Sequence, residues 1–100
     1  MIKIKVQNNK SKIDNISILG HALYDDYGKD IVCSSVSSIV ITTVNGISEI
    51  NDKYLTVEEV KDGMIIRILN EDKTCDKLIK NMLSLLSELS ESYPENIEVK

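Results

Sequence analysis

Histidine and cysteine are reactive side chains, and both are scarce in this chain. There is one histidine, His21, and there are two cysteines, Cys33 and Cys75. Two cysteines do not make a disulfide framework in a chain of 100 residues. A zinc site needs about four ligands, and the spacing of these three residues matches no zinc motif. We therefore expect no metal and no cofactor, and any histidine-dependent chemistry must use His21.

The elements around His21 and Cys33 are predicted to bring the two residues together. A β-branched strand is expected over residues 12–20, and His21 follows its last residue. Asp30 is a predicted helix N-cap that accepts from the first free N–H groups, which puts Cys33 in the first helical turn. The positive end of the helix dipole favours a thiolate there. A histidine within reach would complete a Cys–His nucleophile pair, with helix-start N–H groups as oxyanion donors.

Each of these residues also has an ordinary structural explanation. Cys33 lies near the edge of the apolar stripe of its helix, where a half-buried core cysteine is common. His21 at a strand end suits a polar loop contact, and the cap role of Asp30 is sufficient without a second role in orienting His21. Cys75 fits the apolar stripe of the second helix and is predicted to be core. Spacing alone leaves the catalytic and the structural explanation of the His21–Cys33 pair open.

The segment over residues 22–29 is polar and irregular, which predicts a loop between the strand and the helix. Its notable residues are two tyrosines, two aspartates and one glycine: Tyr24, Tyr27, Asp25, Asp26 and Gly28. The glycine can take a positive φ and let the chain fold back sharply. The tyrosines suit either a lid over a substrate or a plain loop. The aspartates would attract a basic peptide, although exposed loops of an acidic protein commonly carry such residues.

Hydrophobic periodicity predicts the rest of the fold. The expected elements are strands over 2–6 and 12–20, a helix over 30–50, strands over 54–61 and 64–69, a helix over 72–92, and a short strand at 97–99. This ββαββα(β) order predicts an α+β fold, a mixed β-sheet with two amphipathic helices packed on it in an α/β sandwich. No linker or repeat divides the sequence, so we expect one domain over residues 1–100.

Three local predictions refine this fold. The first helix is expected despite its Val, Ile and Thr content, because its apolar residues share one helical face around Val36: Val32, Ile39, Val40, Thr43, Ile47 and Ile50. The second helix has a predicted apolar stripe of Cys75, Leu78, Met82, Leu85 and Leu89, and Pro94 ends it. The pair Asp62-Gly63 predicts a two-residue type I′ turn in the second hairpin.

The charge balance excludes several classes of protein. Twelve Lys and Arg against sixteen Asp and Glu give a net charge of −4, which argues against binding nucleic acid through phosphates and suits a basic polypeptide partner. No uninterrupted apolar run reaches the roughly 18 residues of a membrane span. The alternating N-terminus, Met1–Lys5, does not have the apolar block of a signal peptide. We therefore expect a cytoplasmic protein that binds neither membrane nor nucleic acid.

A motif across residues 20–37 resembles the signature of the ribosomal-processing cysteine proteases, the Prp family. It reads Gly20-His21-Ala22-x5-Gly28-x-Asp30-Ile31-Val32-Cys33, followed by Val36-Ser37. The likeness extends over the whole chain in length and element order. One departure is that Ser34 and Ser35 stand where the family commonly has two alanines; both are small enough to preserve close packing.

The resemblance implies a small, dimeric cysteine endopeptidase that removes a basic N-terminal extension from a ribosomal large-subunit protein, cutting after an aromatic pair. It implies that Cys33 is the nucleophile and His21 the base. Asp30, Ser37 and Gly20 also fall on motif positions, as possible supporting residues. Two other classes remain as alternatives, a ribosome-associated binding module without catalysis and a thiol redox sensor, for which Cys75 would have to serve as resolving cysteine.

Overall fold

The computed structural model describes residues 1–26 and 28–100, with all the expected elements. In chain order they are β1 (Ile2–Asn9), β2 (Lys12–Leu19), α1 (Ile31–Ile50), β3 (Leu55–Val60), β4 (Gly63–Ile68), α2 (Lys73–Ser92) and β5 (Ile97–Val99). The predicted α+β fold and its ββαββα(β) order are confirmed. Tyr27, one of the two predicted lid tyrosines, lies outside the described residues.

The five strands form one mixed sheet in the order β3-β4-β2-β1-β5. β1 is antiparallel to β2 and parallel to β5, while β4 is antiparallel to both β2 and β3. Alternate side chains point into the core from the face that the helices cover: Ile2, Ile4, Ile16, Ile18, Ile66 and Ile97 are all buried. Because β2 is an inner strand, the residues that follow it are attached to the most firmly paired part of the sheet.

Helix α1 forms where side-chain spacing and residue propensity disagree. Val32, Val36, Val40 and Ile47 are buried at helical spacing, so burial of one face outweighs the β preference of individual Val and Ile residues. The predicted inclusion of Ile50 in this face is wrong. Ile50 is the last residue of the helix and is half exposed, so the buried stripe ends one turn earlier.

By length and composition alone, α1 would also qualify as a membrane-spanning helix, with a mean hydropathy of 1.6 over its most apolar window. Ser, Thr and Asn residues are interspersed among the apolar residues of α1, so no uninterrupted apolar run marks this helix in the sequence. One such helix is weak evidence for a membrane span, because the core helix of a folded domain meets the same criterion.

Helix α2 buries a stripe that overlaps the predicted one, since Cys75 and Met82 are fully buried and Leu78 and Leu89 pack partly buried against the core. The buried residues are Cys75, Ile79, Met82 and Leu86, whereas Leu85 is 40% exposed and therefore does not belong to the core. Apolar residues occur around much of this helix, so several stripes satisfy the helical period. The packing partners α1 and β5 decide which of them is buried.

The turn of the second hairpin also differs from expectation. Val60 pairs with Gly63, so the second hairpin turns at Lys61-Asp62 and not at the predicted Asp62-Gly63. Gly63 is needed for another reason, since a Cβ there would overlap the carbonyl oxygen of Ile18 on β2. The two positive φ angles of a type I′ turn occur instead in the first hairpin, at Lys10 (52°) and Ser11 (68°).

Candidate active site

The predicted N-cap at Asp30 is confirmed, and its side chain binds the free N–H groups of the first turn of α1. One carboxylate oxygen, Oδ1, accepts from the backbone N–H groups of Val32 and Cys33, both at 3.0 Å. Asp30 is buried. Burial by itself would raise the pKa of its carboxyl, but the backbone N–H groups that donate to it outweigh burial and hold the pKa below its ordinary value. The group is therefore a carboxylate at neutral pH.

Cys33 lies in the first turn of α1 and meets the chain that leaves β2. The backbone N–H of Ala22 donates to the Cys33 sulfur across 3.4 Å. Cys33 as a whole is half-buried.

His21 is joined through its own carbonyl carbon to the Ala22 nitrogen that contacts the sulfur. The strand end and the helix start therefore come together as predicted. The histidine side chain is exposed, and within the part of the chain that the structure describes, no hydrogen bond joins its ring to Cys33. Catalytic contacts are often loose before substrate binds. The dyad itself stays a prediction.

Leu23, directly after this contact, is in a strained conformation. Its φ of 57° is in the left-handed region, which costs a non-glycine residue about 1–2 kcal/mol. The flanking residues are tied down, since the Ala22 carbonyl accepts from the Asn96 side chain at 2.8 Å and the Tyr24 N–H donates to Asp30 at 2.9 Å. The surrounding contacts therefore impose this conformation on the loop.

Two residues near the C-terminal end of the chain support the loop, and sequence reasoning did not find them. Asn96 binds the Ala22 carbonyl, and the Tyr93 ring packs edge-on against Tyr24 with the centroids 5.3 Å apart. No local pattern marks either residue, because both follow α2 and are therefore far from Cys33 in sequence. Their role follows only from the position of β5 beside β1.

The expected oxyanion donors are largely occupied by other groups. The N–H groups of Val32 and Cys33 bind the Asp30 side chain, and that of Ser34 binds the Asp30 carbonyl at 3.1 Å. Helix-start amides at these positions are therefore not open to a substrate in this conformation. The Ala22 N–H points at the sulfur, so it is a backbone donor next to the position where an attacked carbonyl would lie.

The two serines in place of the usual alanines are bound to their own helix. The Ser34 hydroxyl donates to the Asp30 carbonyl at 3.0 Å and the Ser35 hydroxyl to the Ile31 carbonyl at 2.7 Å. Both bonds go to the preceding helical turn, so neither hydroxyl is directed at the thiol. Ser37 is exposed one turn beyond Cys33, and nothing in the structure tests its supporting role.

Two glycines of the motif have backbone conformations that favour glycine. Gly28 has a φ of 86° in the exposed turn before α1, as predicted for a chain that folds back. Gly20 has a φ of 95°, and a Cβ there would overlap the carbonyl oxygen of Met1. The close approach of Met1, the residue before β1, therefore requires glycine immediately before His21.

Cys75 is a core residue, as predicted. It has no exposed surface, and burial, followed by the nearby Asp72 carboxylate, raises the pKa of its thiol. A resolving cysteine must be accessible to form a disulfide, so this burial argues against the redox-sensor alternative.

We expect iodoacetamide to modify one thiol per native chain, and peptide mapping to place it at Cys33. Cys33 is partly open and Cys75 is fully buried, and only an accessible thiolate is alkylated rapidly. Protein unfolded in urea is the control and should take up two equivalents. Equal modification of both cysteines in the native protein would contradict the assignment of Cys75 to the core.

Residues 1–26 and 28–100 contain no group of three or more His, Cys, Asp or Glu side chains that could hold a metal ion. A thiol at a helix start, a backbone donor on its sulfur and a neighbouring histidine suit nucleophilic attack on a carbonyl carbon.

Known proteins of the same fold have been solved with peptides bound. The crystal structure of an essential ribosomal processing protease Prp from Staphylococcus aureus with a covalently linked product peptide has a TM-score of 0.92 and 26% identity, covering 100% of this chain and 98% of that one. The same enzyme with a substrate peptide has a TM-score of 0.86 and 25% identity, with the same coverage.

Sequence comparison leads to the same group. The ribosomal processing cysteine protease Prp of Staphylococcus aureus (strain Mu50 / ATCC 700699) is 28% identical over 95 residues, which cover 92% of this chain and 90% of that protein. A family model described as Cysteine protease Prp matches residues 1–98. Since that match includes the whole of the Cys33 site and every element that positions it, the chain belongs to the Prp family of cysteine proteases.

Proposed function

We propose that this chain is an endopeptidase that removes the N-terminal extension of a ribosomal large-subunit protein, with Cys33 as nucleophile and His21 as base. The observation that carries the proposal is the hydrogen bond from the Ala22 N–H to the Cys33 sulfur. That bond identifies Cys33 as the thiol with a stabilising donor and puts the backbone of His21 beside it.

In the proposed mechanism, a ring nitrogen of His21 takes the Cys33 proton, and the thiolate electron pair attacks the scissile carbonyl carbon. The carbonyl π electrons move to oxygen, where the Ala22 N–H is the nearest backbone donor. Collapse of this intermediate breaks the C–N bond, and the imidazolium gives its proton to the leaving amine. Water then attacks the thioester, with His21 accepting its proton, and the carboxylate product leaves while the thiol is restored.

The loop beside the thiol supports a basic, extended peptide as the substrate. Asp25 and Asp26 are exposed next to the site, and the net charge of −4 has the same sign, so a basic segment is attracted. Leu23 and Tyr24 are 77% and 47% exposed and offer apolar contact to peptide side chains. We propose that this loop closes over the substrate and that the protein acts in the cytoplasm.

We also propose that the protein is a homodimer. Residues 31–48 of α1 contain no charged residue, and Ile41 on this helix is half exposed. An uncharged surface of this length is commonly covered by a partner, and a second copy of the chain is the partner that the family resemblance implies. Light scattering during gel filtration should give twice the mass of the chain, whereas the monomer mass at all concentrations would contradict the dimer.

The direct test uses a synthetic peptide that spans the extension and the first residues of the mature ribosomal protein from the same organism. Mass spectrometry should find two products from a single cut, and a scrambled peptide of the same composition should stay intact. If the protein binds the peptide tightly but does not cut it, the proposed protease is wrong and the alternative, a non-catalytic ribosome-associated binding module, is correct.

A further inference from the structure

The two oxygens of the Asp30 carboxylate bind different parts of the chain. Oδ1 caps α1 through the N–H groups of Val32 and Cys33. Oδ2 accepts instead from the loop, at 2.9 Å from the Tyr24 nitrogen and 3.4 Å from the Asp25 nitrogen. An N-cap requires only the first set of bonds. The second set connects the loop after His21 to the helix that carries Cys33.

This second set of bonds restrains the part of the loop that is under strain. Leu23 keeps its positive φ of 57° between Ala22, whose N–H is on the Cys33 sulfur, and Tyr24, whose N–H is on Oδ2. Without the Oδ2 bonds, the chain can relax at Leu23 toward the ordinary negative φ region. Relaxation there would leave the Ala22 carbonyl bound to Asn96 but would hold the Ala22 N–H, and with it His21, less firmly beside the thiol.

We propose that Asp30 is a positioning residue. Its Oδ2 holds the loop after His21 against the start of α1, and this keeps His21 close to Cys33. This inference rests on the proposed roles of the two catalytic residues. Asp30 itself does not touch the substrate. It acts through the backbone of Tyr24 and Asp25, which makes it distinct from the cap role that its sequence position predicts.

The other helix provides a matched control. Asp72 caps α2 with the same geometry, its Oδ1 accepting from the N–H groups of Thr74 and Cys75 at 3.0 and 3.1 Å. Its Oδ2 accepts from the Asn51 side chain at 3.0 Å and binds no loop amide. Replacing either aspartate by asparagine keeps one cap oxygen, because asparagine is as good an N-cap as aspartate, and replaces the second acceptor with an NH₂ donor.

The experiment compares Asp30→Asn with Asp72→Asn. We expect Asp30→Asn to lower kcat for the peptide by about 10- to 100-fold, the range that follows from small misplacements of reacting groups, with a smaller change in KM. Amide hydrogen exchange of Tyr24 and Asp25 should accelerate by about tenfold or more, while Val32 and Cys33 keep their protection. Asp72→Asn should leave kcat and these four amides unchanged.

The inference is overturned if Asp30→Asn cleaves at the parent rate, or if Tyr24 and Asp25 keep their protection in that variant. Equal loss of protection at Val32 and Cys33 would also overturn it, because Asp30 would then be only a cap. Should Asp30→Asn fail to fold, Asp30→Ser keeps a cap oxygen without Oδ2 and gives the same test. If the unaltered protein cuts no peptide, the proposed function fails, while hydrogen exchange still decides whether Oδ2 holds the loop.

Discussion

Replacing Cys33 with alanine should lower the rate of peptide cleavage by at least about 10³-fold, since removal of a nucleophile leaves only binding and oxyanion stabilisation. His21→Ala should cost about 10²–10⁴-fold, the usual contribution of a general base. Initial rates measured by mass spectrometry would establish both values. Cys75→Ala is the matched control, because it removes the other thiol from a fully buried position and should leave the rate intact while lowering stability.

The double variant His21→Ala with Cys33→Ala separates a catalytic pair from two independent residues. Groups that act as a unit are strongly non-additive, so the double variant should be no slower than Cys33→Ala alone. If the two losses multiply instead, the residues do not act on each other. Cleavage by Cys33→Ala at the parent rate would show that another group, or another protein in the preparation, performs the reaction.

Gly20→Ala should destabilise the fold by about 2 kcal/mol or more and strongly reduce cleavage. Its φ of 95° is unfavourable for alanine, and the new Cβ would overlap the Met1 carbonyl oxygen. Because the overlapping atom belongs to the backbone of the residue that precedes β1, either Met1 or the residue before His21 has to move. Urea denaturation measures the change in stability, and peptide cleavage measures the effect on the site.

The control for this variant is Gly46→Ala. Gly46 lies inside α1, and apart from its chain neighbours and the nearby backbone of its own helix, no heavy atom lies within 4 Å of an added Cβ. Alanine should therefore stabilise the protein by about 0.5–1 kcal/mol through its higher helix propensity, a change opposite in sign to the one expected for Gly20→Ala. A Gly20→Ala variant as stable and as active as the parent would mean that β1 and the His21 segment adjust to each other without cost.

The features that the sequence predicted correctly are those controlled by nearby residues. Asp30 caps α1 because a carboxylate two or three residues before free N–H groups is sufficient, and Ile16 and Ile18 are buried because alternate residues of a strand share a face. The helical spacing of Val32, Val36 and Val40 likewise prevailed over the strand preference of valine. In each case the determining pattern spans only a few residues.

The features that were wrong or missing depend on distant parts of the chain. Leu85 was assigned to the core because α2 has several apolar stripes, and only its packing partners choose between them. Asn96 reaches Ala22 from the other end of the sequence, and the second oxygen of Asp30 finds its partners only once the loop has folded back.

The pairing of β1 with β5 has a consequence for how the enzyme is made. Ile2 pairs with Ile97, and Asn96 binds the loop beside Cys33, yet a ribosome synthesises these late residues only after nearly all of the chain described here. A nascent chain therefore carries Cys33 well before it has the neighbours that organise the surroundings of this residue. Activity should appear only once this C-terminal segment has emerged, so the order of translation separates synthesis of the protease from its action.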